Sequence, residues 1–313
     1  MNGQAGRHDP VLLEQAIEGL ALEPGEVVVD GTFGAGGHSR RIVEEIAPDG
    51  VLIAVDRDPA VAEIAAQLAA GSPVTVHVVT DSYANIAANL RELGFEAVDG
   101  ILLDLGLSSI QLDDPNRGFS FTHDGPLDMR FDPTRGRSAA DLVSGLDREE
   151  LANLIYKYGE ERQSRRIASA IVRAREREPI RTTGQLAAIV EAAVGGRRGA
   201  RIHPATRTFQ ALRIAVNDEL GELERGLTAG IEILRPGGRF VVIAFHSLED
   251  RIVKQTFQRE IRGCICPPEI PVCRCGRVPR LRAIGKPVRA SDSEIERNPR
   301  SRSAIMRVVE RLP

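Results

Sequence analysis

The chain has 313 residues, of which 42% are hydrophobic and 27% charged, a composition typical of a soluble globular protein with one large domain or two of ordinary size. No apolar run reaches the roughly 18 residues of a membrane span. The first residues lack the basic and apolar segments of a signal peptide, so we expect a cytoplasmic location and no membrane partner.

Charge is distributed unevenly along the chain. Residues 1–129 hold 6 basic and 21 acidic side chains, whereas residues 130–313 hold 35 basic and 23 acidic ones. An acidic region favours a cationic ligand and a basic region favours a polyanion. A solvated surface without either partner explains the same count equally well.

Strands and helices are predicted to alternate through the first third of the chain. A helix at residues 10–22 is followed by four apolar runs that predict strands, at residues 26–30, 51–56, 74–80 and 98–106. Because these runs contain few polar residues, we expect a parallel sheet that is covered by helices on both faces. The predicted fold class is therefore α/β.

A helical segment interrupts this alternation. Residues 116–137 are rich in Gly, Pro, Asp and Arg and predict an ordered loop, after which only helical periodicity is present as far as Gly195. A long helix over about 205–234 and a strand over 239–247 then restore the α/β pattern. We predict a discontinuous main domain with an inserted helical, substrate-binding domain, at residues 1–115 with 206–313 and at 116–205 respectively.

The sharpest local feature is the glycine-rich loop DGTFGAGGHS after the first strand. Glycines let the backbone turn tightly and approach a ligand without Cβ clashes. A dinucleotide fingerprint would need a third glycine at the position of Ser39, and the loop begins at Asp30, whose charge would repel a pyrophosphate. Asp56, Asp81 and Asp104 follow at later strand ends, where Asp56 can bind ribose hydroxyls. Four carboxylates suit the cationic S-adenosylmethionine better than a nicotinamide dinucleotide.

Longer motifs connect these features, among them DGTFGAGGHSR, AVDRDP, DGILLDLGLSS, GPLDMR, HPATRTFQALRIAVNDEL and FHSLEDRIVK. Together they resemble the RsmH (MraW) family of small-subunit rRNA cytosine-N4 methyltransferases over nearly the whole chain. The resemblance implies a Rossmann-like, S-adenosylmethionine-dependent methyltransferase with an inserted helical domain. It also implies methyl transfer to the exocyclic N4 amine of a cytidine in the decoding centre of 16S rRNA. The implied partner is 16S rRNA or the small ribosomal subunit, not DNA.

The resemblance also implies which residues bind the cofactor. Carried onto this chain, the contacts fall on Gly36, Gly37, His38, Asp56, Tyr83, Asp104 and Gln111. The loop itself adds Asp30 to this set. We expect the Tyr83 ring to stack on adenine, and capping of the helix behind the loop is the structural alternative for His38.

Three residues are candidates for the catalytic step. The N4 lone pair of cytosine is delocalised into the ring, so the enzyme must orient the amine and accept hydrogen bonds from its protons. We expect Asp104 to orient or polarise the amine, or to anchor the cofactor beside it, with a loop-capping role as the alternative. His246 and Ser247 are predicted to contact the target base or a phosphate, although a lone histidine is more often a structural hydrogen-bonding residue.

Two groups of side chains in and near the insert are candidates for RNA contact. Aromatic and basic residues that could stack on bases and hold phosphates, or instead pack the insert, are Phe119, Phe121, Phe131, Arg117 and Arg130. A basic helical face is predicted from Arg165, Arg166, Arg173, Arg175 and Arg177. A nicotinamide dehydrogenase and a non-catalytic ribosome-assembly factor remain the alternative functions.

All four cysteines lie in the segment CICPPEIPVCRCG, as Cys264, Cys266, Cys273 and Cys275. The C-x-C-x6-C-x-C pattern is compatible with a structural Zn²⁺ ion. The C-x-C spacing is tighter than the usual C-x2-C, and some members of the family that the chain resembles lack the cysteines. From the sequence alone we favour a reduced loop stiffened by prolines over a zinc site.

Overall fold

The computed structural model describes residues 10–197, 199, 202–264, 266–267, 272 and 274–313. The chain divides into two compact units, Met1–Gly106 with Leu220–Pro313 and Leu107–Glu219. We call them the sheet unit and the helical unit. The helical unit contains all of residues 116–205 and extends beyond this range at both ends.

In the described part of the chain, the sheet unit is built on eight strands. They are β1 Val27–Asp30, β2 Val51–Asp56, β3 Thr75–Thr80, β4 Val98–Asp104, β5 Leu234–Ala244, β6 Leu281–Ala283, β7 Val288–Arg289 and β8 Ile305–Arg311. The order is β3-β2-β1-β4-β5-β8-β6, with β7 also paired to β8. Strands β1 to β5 are parallel, as predicted, whereas β8 runs antiparallel to its neighbours. The α/β class is confirmed.

Thirteen helices lie in the described part of the chain. They are α1 Leu13–Leu20, α2 Gly37–Ile46, α3 Ala62–Ala70, α4 Ile86–Glu92, α5 Ser109–Asp113, α6 Ala139–Gly145, α7 Arg148–Gly159, α8 Ser164–Arg175, α9 Thr183–Val194, α10 Thr206–Asn217, α11 Glu219–Ile233, α12 Ser247–Arg262 and α13 Asp292–Arg297. No described helix combines the length and the apolarity that crossing a membrane requires.

Alternating side chains of the central strands bury both faces of the sheet. On one face, Val28 of β1 packs with the apolar sides of α1 and α2. On the other face, Val27 and Val29 pack with α4, α11 and α12. Strand β3 differs from the prediction because it is an edge strand, where Val78 is 39% exposed. Only the inner strands have both faces covered.

The order of the strands determines where a ligand can bind. The chain moves outward from β1 to β2 and β3, and then returns to place β4 on the other side of β1. The connections from β1 and β4 therefore diverge, which leaves a crevice at the carboxyl ends of these two strands. Asp30 ends β1 and Asp104 ends β4, so the predicted acids lie at this switch point.

Two predicted elements near the end of the insert differ from the structure in their bounds. The helix expected over 205–234 is broken at Asp218, which has a left-handed φ of 50°. Just before the break, the buried Asn217 amide donates to Met129 O at 2.7 Å, and its oxygen accepts from Phe131 N at 2.8 Å. The strand expected over 239–247 ends at Ala244 because His246 begins the next helix as its N-cap.

Candidate functional site at the strand ends

The glycine loop between β1 and α2 is shaped by steric limits. Gly34 and Gly36 have φ values of 52° and 73°, which favour glycine. A Cβ atom on Gly36 would lie 2.7 Å from the Phe33 ring, and one on Gly37 would lie 2.2 Å from Pro10 Cγ. The backbone therefore needs glycine at both positions, and the loop presents main chain rather than side chains at the switch point.

Asp30 lies beneath the loop and not at its mouth. Its side chain is buried, and its two oxygens accept hydrogen bonds from Ser39 Oγ at 2.7 Å and from Thr32 N at 3.1 Å. Burial raises the pKa of Asp30 to about 6, although the hydrogen bonds from Ser39 and Thr32 act to lower it. Ser39, which the sequence analysis used only to exclude a dinucleotide motif, thus holds this carboxyl group. Direct contact between Asp30 and a cofactor stays a prediction.

Asp56 connects the end of β2 to the glycine loop. Its Oδ2 accepts from Gly34 N at 2.8 Å, and its Oδ1 accepts from Asp58 N at 2.9 Å. Burial raises the pKa of Asp56 to about 6, and the neighbouring negative charges of Asp58 and Asp30 add to the effect. Each carboxylate oxygen retains further acceptor capacity, so the hydrogen bonds fix the group in place and still permit binding to hydroxyl groups.

Asp104 is the least compensated acid at the switch point. Its Oδ1 is buried and has no hydrogen-bond partner among the residues that the structure describes. Burial raises the pKa of Asp104 well above its ordinary value, and the negative charges of Asp30 and Glu249 raise it further. A buried acceptor without a partner is costly to keep. The group is therefore suited to accept a hydrogen bond, or a proton, from a ligand.

His38, on the first turn of α2, lies next to Asp104. Its Nε2 is 3.1 Å from Val11 O, and its Nδ1 is 3.7 Å from Asp104 Oδ2. Burial lowers the pKa of His38 to about 4, so the ring is neutral at physiological pH. Because a carbonyl can only accept, the proton is on Nε2 and the Nδ1 lone pair faces Asp104. The imidazole does not cap α2, whose N-cap is Gly36.

His246 and Ser247 mark the start of α12. His246 is the N-cap, and its Nδ1 accepts from Glu249 N at 3.4 Å. Its buried Nε2 is 3.1 Å from Glu249 Oε1, but outside hydrogen-bond geometry, and no other described residue bonds it. Ser247 is the first residue of the helix and is exposed. The structural hydrogen-bonding alternative for His246 is therefore observed, in the form of a helix N-cap, and contact with a base stays a prediction for both residues.

Glu249 is a component of this region that the sequence analysis missed. Its side chain is buried, and its Oε2 accepts from Phe245 N at 2.8 Å and from His246 N at 3.2 Å. It is close enough to Asp104 for its charge to raise the Asp104 pKa. The spacing of His246 and Glu249 is that of a capping box, a signal that was present in FHSLED.

The remaining predicted cofactor residues have defined local roles. The Tyr83 ring packs against Gly226 of α11, where a Cβ atom would lie 2.4 Å from Tyr83 Cδ2. Asp81 accepts from Asn85 Nδ2 at 3.0 Å and so closes a turn after β3. In the helical unit, Gln111 is buried, and its Oε1 accepts from Ser108 N at 3.1 Å in a capping box. Cofactor contact by Tyr83 and Gln111 stays a prediction.

The aromatic residues of the helical unit pack on one another. Phe119 stacks on Phe131 with ring centroids 5.5 Å apart, and Phe121 lies 4.7 Å from Phe209 in an edge arrangement. Arg117 donates to Phe131 O at 2.9 Å and to the neighbouring carbonyl at 3.0 Å. These contacts support the packing alternative within this unit.

The arginines near these rings and on α8 differ in their exposure. Arg130 is paired with Asp128 through bonds of 2.9 and 2.7 Å. On α8, Arg175 is half-buried and donates to Val143 O. The other members of the predicted basic face are exposed, namely Arg165, Arg166, Arg173 and Arg177.

Comparison with known proteins places these features in a context. The sequence model of the MraW methylase family matches residues 5–312. A protein of Thermomicrobium roseum is 56% identical over 306 residues, which cover 97% of this chain and 94% of that protein. One of Geobacter sulfurreducens is 55% identical over 309 residues, covering 97% and 99%. One of Syntrophotalea carbinolica is 51% identical over 314 residues, covering both chains completely. All three are named ribosomal RNA small subunit methyltransferase H.

Proposed function

Because the chain belongs to the MraW methylase family and is an S-adenosylmethionine-dependent methyltransferase, we propose that it methylates the exocyclic N4 amine of a cytidine in the decoding centre of 16S rRNA. The names of its relatives support small-subunit rRNA as the substrate. The observation that carries the choice of an amine is the buried Oδ1 of Asp104, which has no hydrogen-bond partner among the described residues. An amine presents N–H donors, and this oxygen can accept one of them.

The residues at the switch point fit the cofactor. The left-handed φ values of Gly34 and Gly36 let the loop present main chain to a ligand at close range. Asp56 offers acceptors to a ribose diol, and the charges of Asp30 and Asp104 favour a cationic ligand. When bound, S-adenosylmethionine supplies an electrophilic methyl group on a positively charged sulfur. On the resemblance alone, we assign the adenine contact to Tyr83 and a further cofactor contact to Gln111.

Asp104 has the properties that amine methylation requires. Its ionised carboxylate accepts an N–H bond, which orients the amine, and its raised pKa makes it a better proton acceptor than an ordinary aspartate. A cationic ligand nearby favours the ionised form. His38 is neutral and presents its Nδ1 lone pair to Asp104, so it offers this carboxylate no hydrogen-bond donor and leaves the acceptor capacity of Asp104 to the amine. Hydrogen bonding of the base by His246 or Ser247 belongs to the same proposal.

Exposed arginines of α8 support an RNA partner. Arg165, Arg166 and Arg173 make no ion pair with any described residue, and so their charges are available to phosphates. Such contacts release counterions and give binding that weakens as salt increases. We assign α8 to the RNA backbone, and the switch point to the target base, which must leave its stack to be methylated.

The decisive experiment combines the protein with methyl-labelled S-adenosylmethionine and small ribosomal subunits that lack the family's modification. The rRNA is then digested to nucleosides, and naked 16S rRNA is tested in parallel. We expect label in N4-methylcytidine. Label in another nucleoside, or no label in either substrate while S-adenosylhomocysteine still binds, would reject the proposed target.

A further inference from the structure

The cysteine segment between α12 and β6 plays no part in the proposed reaction. Cys264, Cys266 and Cys275 have sulfur atoms that all lie within 4.8 Å of one another. We propose that these three residues bind a structural Zn²⁺ ion as thiolates. Cys273 lies outside the described residues, so the site is argued from the other three.

The sulfur geometry favours a metal site over a disulfide. The Sγ atoms of Cys264 and Cys275 are 3.9 Å apart. Tetrahedral zinc with Zn–S bonds of about 2.3 Å separates its sulfurs by roughly 3.8 Å, whereas a disulfide needs about 2.05 Å. The sulfur of Cys266 also accepts a hydrogen bond from Arg274 N at 3.4 Å. Such a bond from outside the ligand set stabilises and orients a metal-binding thiolate.

The base of the cysteine segment is firmly closed. Buried Glu260, near the end of α12, accepts from Arg280 Nε at 2.7 Å and from Arg277 at 3.3 Å. Arg280 N also donates to Glu260 O at 2.9 Å. The backbones converge here so tightly that a Cβ atom on Gly263 would lie 2.5 Å from Pro279 N. The two arms that carry the thiols are thus brought together independently of a metal.

Beyond this base, the described residues of the segment form no apolar core that would fix its conformation. Val272 and Val278 are 69% and 72% exposed. No described residue from 264 to 280 belongs to an apolar cluster of the protein. Small segments without a core usually need a cross-link or a metal to hold one structure. A zinc ion bound by converging thiolates meets this need. This structural argument outweighs the tight C-x-C spacing, which favoured a metal-free loop in the sequence analysis.

The test is metal analysis of the full-length protein after reconstitution with zinc under reducing conditions. We expect about one equivalent per chain, and a thiolate-to-metal absorption band when cobalt replaces zinc. The intensity of the band reports whether three or four thiolates bind. Cys264→Ser and Cys275→Ser should lose the metal, while Val272→Ser, an exposed change in the same segment, should keep it.

Proteolysis and cofactor binding separate this proposal from the proposed function. Zinc should protect the Arg274–Cys275 bond from trypsin, and chelation should expose it. Binding of S-adenosylhomocysteine should be unchanged in the cysteine variants, because α12 has 16 residues and spans roughly 24 Å between the segment and the His246 end. Absence of stoichiometric zinc from the reduced protein, or equal zinc in Cys264→Ser, overturns the proposal.

Discussion

The strand ends and helix α8 both carry charges that the sequence analysis singled out, but the two regions hold those charges differently. Asp30 is 1% exposed, and Asp104 Oδ1 is buried without a described partner. Arg165 and Arg173 are exposed to solvent. Burying a charge costs several kcal/mol, whereas an exposed arginine costs almost nothing to maintain. A buried acid is therefore stronger evidence for function than an exposed base.

The largest effect on the methylation rate is expected from a change at Asp104, whose Oδ1 is buried. Asp104→Asn removes the proton acceptor but keeps the shape of the side chain. The methylation rate should fall by about 100-fold or more, the usual contribution of a positioned acid or base. The thermal stability should be equal to that of the native protein or higher, because a costly buried carboxyl is gone. Single-turnover assays and thermal unfolding measure the two quantities.

Asp99→Asn is a matched control for this substitution. Asp99 lies on the same strand, but its carboxylate is paired with Arg235 at 2.6 Å and accepts from Val27 N at 2.9 Å. This variant should lose stability and keep its methylation rate. Equal rates for Asp104→Asn and the native protein would remove Asp104 from the catalytic step.

For the exposed arginines of α8 we expect a smaller effect, which depends on the salt concentration. Replacing Arg165, Arg166 and Arg173 together by Gln should lower RNA affinity by roughly 30-fold at moderate salt. The slope of log K against log salt should fall by about 2 to 3, close to one for each lost phosphate contact. S-adenosylhomocysteine affinity should not change. Binding titrations over a salt series provide the measurement.

Arg91→Gln serves as the control for the arginine variant. Arg91 is an exposed arginine near the end of α4 in the sheet unit. Its loss should leave both the RNA affinity and the salt slope unchanged. If the triple variant behaved like this control, the arginines of α8 would be solvated surface charges without a role in RNA binding. Only the buried acids would then have a function.

The smallest effect concerns pH. The pKa of Asp30 is raised from 3.8 to about 6 on folding, so the contribution of this group to stability is present below pH 3.8 and is lost as the pH rises through about 6. Asp30→Asn should therefore gain about 1 kcal/mol of stability relative to the native protein between pH 5 and pH 7. Urea unfolding of both proteins at the two pH values measures the change.

Cofactor affinity should depend on pH in the opposite sense. Ionised Asp30 and Asp56 attract a cationic ligand, so binding of S-adenosylmethionine should become tighter as the pH rises through about 6. Calorimetric titration from pH 5 to pH 8 tests this expectation. An affinity that is independent of pH over this range would mean that the two acids do not interact with the cofactor.

The strand ends were largely predictable because apolar runs and acids are adjacent in the sequence. Strand β2 was predicted at its observed bounds, and β4 was predicted to within two residues. The direction in which each acid points was not predictable. The alternation of side chains along a strand does not reveal that Ser39 holds Asp30 beneath the loop. The role of Glu249 was missed because histidine is an uncommon N-cap.

Long-range contacts account for the other differences. Helical periodicity continues through Asp218, so nothing local indicates the break. The break accompanies two hydrogen bonds of Asn217, one donated to Met129 O and one accepted from Phe131 N, and both partners are more than eighty residues away in sequence. The edge position of β3 likewise depends on the order of the whole sheet and not on its own apolar residues.

The position of β8 has a consequence for the order in which the protein is completed during synthesis. This strand, Ile305–Arg311, is made after the other seven strands, yet it lies inside the sheet between β5 and β6. The helical unit is continuous in sequence and carries its own apolar core, so it can fold while the later strands are still being translated. Until β8 is released, β5 has an unpaired edge that is open to misassociation. The sheet is therefore protected from aggregation only after the residues of β8 have been made and have paired with β5.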